Sequence, residues 1–85
     1  MNYVYLLISE SVGHFYTGST IDLRRRLKEH NDGKVISTVK RRPMKLLYYE
    51  ACINEKDARR REKYLKSGMG KKYLKNRLKS YLQNL

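Results

Sequence analysis

Glu62 occupies a position that packing alone does not favour. Ala58, Glu62 and Leu65 follow the i, i+4, i+7 spacing of a helix, which places the carboxylate within an apolar stripe. An acid there must find a partner, shift its pKa or hold a cation. Its plainer role is an ion pair with one of the many arginines. Arg26 and His30 stand one helical turn apart. At about 100° per residue, Arg26 falls about 60° from Leu23 and about 100° from Leu27, so both polar side chains run beside the buried stripe at a sheet edge. A solvated basic helix face, shared with Arg24, Arg25 and Lys28, is the simpler account of that pattern. The third group is phenolic. The chain has 8 tyrosines in 85 residues, against 1 Phe and 0 Trp. Tyr5 and Tyr16 fall in two stretches that read as paired strands. A phenol beside cations has a stabilised anion and can move a proton. Tyr is equally an ordinary strand residue.

Composition removes other chemistries. The single cysteine, Cys52, cannot form an internal disulfide, and with only His14 and His30 no zinc constellation can be assembled. Cys52 lies in an apolar run and reads as a small buried hydrophobe rather than a nucleophile. Lys and Arg number 20 against 8 acids, a net charge of +12. Such an excess in a small chain points to a polyanionic partner, above all nucleic acid. An anionic membrane surface is the competing partner. There is no basic, apolar leader and no apolar run near the about 18 residues of a membrane span, so a cytoplasmic protein is expected.

A small fold must position these groups. A chain of 85 residues suits one domain covering 1–85. At this size only about 60–65% of the unfolded chain's surface is buried, enough for one modest core. Tyr3 to Ile8 is a continuous apolar run, which suggests a central strand covered on both faces. Ser9 to His14, with Gly13, reads as a hairpin loop, and Phe15 to Gly18 as a short antiparallel second strand. Ser19 or Thr20 can cap a first helix, with Asp22 in its first turn, Leu23 and Leu27 facing the core, and Gly33 past its end. Residues 34–43 form a basic loop, and Leu46 to Ile53 a third strand. Asn54 can cap a second helix, with Asp57 in a capping-box-like position and an end near Gly68. Residues 70–85 place Leu74, Leu78, Tyr81, Leu82 and Leu85 on one stripe of a single amphipathic helix. The order β-β-α-β-α-α gives an α+β domain, a three-stranded antiparallel sheet flanked by helices.

Tyr3-Val4-Tyr5 resembles the first signature of the GIY-YIG nucleases, and Tyr16-Thr17-Gly18 resembles the second. Arg26 and His30 follow at the spacing of that family's first helix, which also ends in a segment similar to Asn31-Asp32-Gly33. Glu62, within Ala58-Arg59-Arg60-Arg61-Glu62-Lys63, resembles the family's metal-binding glutamate. Arg41-Arg42-Pro43 is similar to the small stand-alone bacterial members in particular. The likeness covers roughly residues 2–72. Ser19 follows Gly18 where some repair members carry lysine, and the family's late asparagine has no clear counterpart.

The resemblance implies a metal-dependent endonuclease that hydrolyses phosphodiester bonds, in DNA first of all, with structure-selective cleavage in repair or DNA processing. It implies one Mg²⁺ or Mn²⁺ on Glu62, a cation that keeps waters and takes substrate phosphate into its shell. Arg26 is expected at the scissile phosphate, where its planar fork matches two oxygens. Tyr16 is expected to activate water, Tyr5 to orient water or phosphate, and His30 to take the proton from Tyr16. Lys34, Lys40, Arg41, Arg42 and Lys45 flank this site as expected nucleic-acid contacts, and Lys71, Lys72, Lys75, Arg77 and Lys79 form a second basic tract. Six phosphate contacts on a duplex give a slope of log affinity against log salt of about −5. A binding module without catalysis accounts for the charge equally well. Targeting is expected from another domain, a protein partner or recognition of nucleic-acid structure, and oligomeric state is open.

Overall fold

The computed structural model describes all 85 residues. Strand β1 (Asn2–Ser9) runs between β2 (Phe15–Thr20) and β3 (Met44–Cys52), antiparallel to both, in the order β2-β1-β3. Residues Val4 to Ser9 are all buried, as the unbroken apolar run requires of a strand covered on both faces. Helix α1 (Leu23–Asn31) lies between β2 and β3, and α2 (Glu55–Lys66), α3 (Gly68–Arg77) and α4 (Lys79–Gln83) follow β3. The expected α+β sheet with flanking helices is present.

Strand alternation sorts the core into two layers. On one face, Tyr5, Leu7 and Met44 pack with Tyr16, Leu23, Leu27 and Leu46, so α1 covers this side. On the other, Val4 and Leu6 meet Ala58 and Leu65 of α2 and Leu74 of α3. A bulge beside Leu6 and Leu7 gives β3 one extra residue, Leu47, which packs with the α2 layer. Cys52 is half-buried against that layer and does not sit deep in the core.

Several boundaries differ from the sequence expectation, each for a local reason. Strand β2 continues to Thr20 because Ser19 and Thr20 pair with Val4 and Tyr3. They are therefore unavailable as caps, and Asp22 caps α1 by accepting from the Arg25 amide at 3.1 Å. Strand β3 begins at Met44, whose amide and carbonyl both bond the Asn31 side chain, at 2.7 and 2.9 Å. That strand ends at Cys52, leaving Ile53 outside it and 85% exposed. The basic loop contains a 3-10 turn at Val39–Arg41. Asn54 caps α2 as expected, but Asp57 pairs with Arg60 at 3.0 Å and does not complete a capping box.

The C-terminal segment is not one helix over 70–85. Ser67 ends α2 and caps α3, accepting from the Gly70 amide at 3.2 Å. Gly70 lies so close to α2 that a Cβ would strike the Tyr64 carbonyl and Leu65 backbone. The helix then breaks at Leu78 (φ −106°, ψ 22°), and this turn keeps Leu78 on the core layer before α4 begins. No helix is long and apolar enough to cross a membrane.

Candidate active site

The central strand delivers Tyr5 to the α1 face, 2% exposed and opposite Gly18 of β2. Gly18 is required there. A Cβ on it would lie 2.5 Å from the Tyr5 hydroxyl and 3.1 Å from a Tyr16 ring carbon. The absent side chain lets the Tyr5 ring lie across the edge strand. Tyr16 is two positions away on the same strand face, its ring 6.3 Å from that of Tyr5. Helix α1 lays His30 against both phenols, with ring centroids at 5.7 and 5.0 Å in edge-on contact.

His30 is fully buried and uses both ring nitrogens. Its Nε2 lies 2.9 Å from the Tyr5 hydroxyl, and its Nδ1 lies 2.7 Å from Oγ1 of the buried Thr38. Burial, aided by repulsion from Arg26, lowers the imidazole pKa to about 4, against a smaller pull from Glu29. At neutral pH His30 is thus uncharged, with one nitrogen donating and the other accepting. Burial also raises the Tyr5 pKa, assisted by Tyr16 and Glu62 and opposed by the nearby Arg26 guanidinium. The expected His30–Tyr16 proton path has no direct hydrogen bond in this geometry, where the two rings meet edge-on. The hydrogen bond goes to Tyr5, whereas the half-buried Tyr16 has no protein partner on its hydroxyl.

Arg26 is half-buried, paired with Glu29 at 3.1 Å and close enough to Tyr5 for each to influence the other's protonation. Glu62 reaches the site differently. Its helix packs on the opposite sheet face, and its Oε1 accepts from the Ser19 hydroxyl of β2 at 2.6 Å. Lys66, one turn along, donates to Oε2 at 2.8 Å. Partial burial is the largest single influence on Glu62 and raises its pKa, but the Lys66 and Ser19 hydrogen bonds together carry it below the ordinary carboxylate value. The acid therefore stays ionised at the edge strand, and its charge is felt at the Tyr5 phenol. The plainer expectation, an arginine ion pair for Glu62, is not met: its ion-pair partner is Lys66, and Arg61 instead forks onto Glu50 at 2.8 and 2.9 Å.

The structure thus gathers Tyr5, Tyr16, Arg26 and His30 on one face, with Glu62 approaching the same strand edge from the other. Nowhere do three or more His, Cys, Asp or Glu side chains converge into a ready-made metal cluster. At the edge strand Glu62 presents an ionised oxygen beside the Ser19 hydroxyl, oxygen donors of the kind that hard divalent cations prefer.

The basic residues divide. Lys34, Lys40 and Arg42 are exposed and Arg41 half-exposed in the loop after α1, with the Arg42 guanidinium over Gly33. Lys45 is not with them. Register puts it beside Ile8 on the opposite sheet face, where its ammonium lies 5.5 Å from the Tyr81 ring centroid. The tract Lys71, Lys72, Lys75, Arg77 and Lys79 is exposed throughout. Sequence reasoning missed Thr38 and Ser19 as partners of His30 and Glu62. Nothing local marks Thr38, whereas the i, i+4 spacing of Glu62 and Lys66 was an unused signal that could have found that pair.

Known proteins agree with this architecture. The GIY-YIG catalytic domain model matches residues 1–75. A UPF0213 protein of Pediococcus acidilactici is 45% identical over 67 residues, covering 72% of this chain and 68% of its own. A UPF0213 protein of Clostridium perfringens is 42% identical over 67 residues, covering 78% of this chain and 71% of its own. The solution NMR structure of a UPF0213 protein from Bacillus halodurans aligns with TM-score 0.52 at 38% identity, covering 87% of this chain and 82% of that one. GIY-YIG domains are generally endonucleases that use a divalent metal, and this chain carries that nuclease-type fold. With tyrosines on adjacent strands, an arginine and histidine on the next helix and a lone acid beyond, the chain belongs to the GIY-YIG family and to its UPF0213 group.

Proposed function

We propose that this protein is a divalent-metal-dependent endonuclease that hydrolyses phosphodiester bonds in nucleic acid, with DNA as the first substrate to test. The observation that carries this reading is the contrast between the two phenols. Tyr5 is committed to His30, whereas the Tyr16 hydroxyl is free beside the same imidazole. Tyr16 is thus the group able to contact and align an attacking water. Tyr5, His30 and Thr38 form a neutral hydrogen-bonded chain that holds this surface rigid and keeps the Tyr5 oxygen near Arg26.

Arg26 binds the phosphate whose bond is cut and offsets the charge that builds on its oxygens. Release from Glu29 frees the guanidinium for that contact. Glu62, aided by Ser19, holds Mg²⁺ or Mn²⁺, which when bound supplies Lewis-acid stabilisation of the phosphate and leaving oxygen. The exposed Lys34, Lys40 and Arg42 lead the nucleic-acid backbone toward the site.

Nicking of supercoiled plasmid in Mg²⁺ or Mn²⁺ tests the reading, with Glu62→Gln and Arg26→Ala as controls. Cleavage by wild type and its loss in both variants is the expected result. DNA binding by all three with cleavage by none would favour a non-catalytic binding module, the reading supported by the Lys66 ammonium on Glu62.

A further inference from the structure

A second feature borders the site from the other side of β2. A cleft of about 290 Å³ lies against Phe15 to Thr17 of the edge strand, walled by Leu65 and Leu74 and rimmed by Lys66, Lys71 and Lys75. Its lining is mostly apolar and contains no carboxylate. Phe15, the chain's sole phenylalanine, is 40% exposed at its mouth. The cleft adjoins the candidate active site at two residues: Tyr16 borders it while its ring packs against His30 on the opposite face, and Lys66 bonds Glu62.

This combination selects its occupant. Duplex DNA presents charged backbone outward and keeps its bases stacked, so it satisfies the lysines and leaves the apolar wall unused. An unstacked nucleotide satisfies both, with a flat apolar base and phosphates on either side. An anionic lipid shares the gross chemistry, but an aromatic ring on the same edge strand as Tyr16 and Ser19 fits the nucleotide better. We propose that the cleft receives one unstacked base of single-stranded nucleic acid, packed on Phe15, with its flanking phosphates on Lys66, Lys71 and Lys75. The preferred substrates are then single strands, flaps or gaps rather than intact duplex. The position of the cut beside this base rests on the nuclease reading; the binding itself does not.

Fluorescence anisotropy in EDTA tests the cleft without turnover. The probes are a labelled strand of about 12 nucleotides, within the span of one small single-strand site, and an abasic strand of equal length. Wild type is expected to bind the base-bearing strand about tenfold more tightly, the scale of one base–aromatic contact. Phe15→Ala removes most of that preference and Phe15→Tyr restores it. Where alanine fails to fold by circular dichroism, Phe15→Leu keeps the apolar volume without the flat ring and gives the same loss. Lys71→Ala with Lys75→Ala weakens both strands alike and reduces the salt slope by about 1.4. Equal affinity for the two strands overturns the proposal. So does a base preference that survives Phe15→Ala, or Phe15-dependent capture by phosphatidylserine vesicles without base preference. Plasmid nicking by wild type in Mn²⁺ separates the two readings. Base preference without nicking leaves the cleft assignment standing and ends the hydrolytic one; nicking without base preference does the reverse.

Discussion

The Tyr5 hydroxyl and Nε2 of His30 lie 2.9 Å apart in the interior, between the central strand and α1. Both groups are neutral at neutral pH, for related reasons. Burial resists a phenolate on one and an imidazolium on the other, and the adjacent Arg26 reinforces the second effect.

His30 gives the fold an acid-sensitive window. The unfolded chain takes up a proton at the ordinary 6.5, whereas the folded ring does so only near about 4. Between those values the unfolded state binds more protons, so stability is complete above the upper one and falls as pH drops toward the lower. The loss reaches as much as about 3 kcal/mol. Urea midpoints measured from pH about 7 to about 4.5 should decline, and His30→Gln should flatten that decline. A wild-type midpoint that stays level across the window contradicts this account.

Gly18→Ala should damage both fold and site. The added methyl meets the Tyr5 hydroxyl at 2.5 Å, and Tyr5 cannot move without breaking its bond to His30. A loss of about 1–3 kcal/mol is expected, the range for overpacked cores. Thermal melts read the stability, and plasmid nicking reads the misplacement. A variant with wild-type Tm and full cleavage would show the contact to be soft.

Lys66 stands where a cation on Glu62 must compete. Removing its ammonium leaves the carboxylate with Ser19 as its remaining hydrogen-bond partner. Lys66→Ala should therefore bind Mn²⁺ several-fold more tightly in calorimetric titration, whatever its effect on turnover. The exposed pair contributes at most about 1 kcal/mol to stability, so the melt should move little. Weaker Mn²⁺ binding in this variant would place Lys66 among the metal's supports instead.

Arg61 anchors the helix that presents Glu62. Its guanidinium forks onto Glu50 and lies 5.1 and 4.8 Å from the ring centroids of Tyr64 and Tyr73. Arg61→Ala leaves the half-buried Glu50 with only the Tyr48 hydroxyl. Partly exposed as the pair is, the expected loss is about 2 kcal/mol, or roughly 10 °C in Tm. Arg61→Lys should recover only part of it, because an ammonium lacks the fork and the flat stacking surface. Full recovery by lysine would show that charge alone matters there.

Much of this arrangement was legible from the chain. The unbroken run Tyr3 to Ile8 identified the central strand, and the spacings of Tyr5, Tyr16, Arg26 and His30 identified residues that the fold gathers. Less legible were contacts made across the sheet or between distant segments. Alternation at the β3 bulge determines that Lys45 faces Tyr81 instead of the tyrosine cluster, and the bulge has no local signature. Thr38 reaches His30 only because the loop folds back over α1. The break at Leu78 interrupts an amphipathic pattern that, on periodicity alone, continues to Leu85. In each case tertiary packing decided what local propensity left open.

The central proposal is that Glu62 carries a catalytic divalent cation at the β2 edge, beside Ser19. Anomalous diffraction from a crystal soaked in Mn²⁺ with a non-hydrolysable oligonucleotide addresses it directly. The account predicts one peak about 2.1 Å from a Glu62 oxygen, with phosphate oxygens and waters completing the shell. A peak elsewhere, or Lys66 still bonded to Glu62 with phosphate bound and no metal between them, would contradict it.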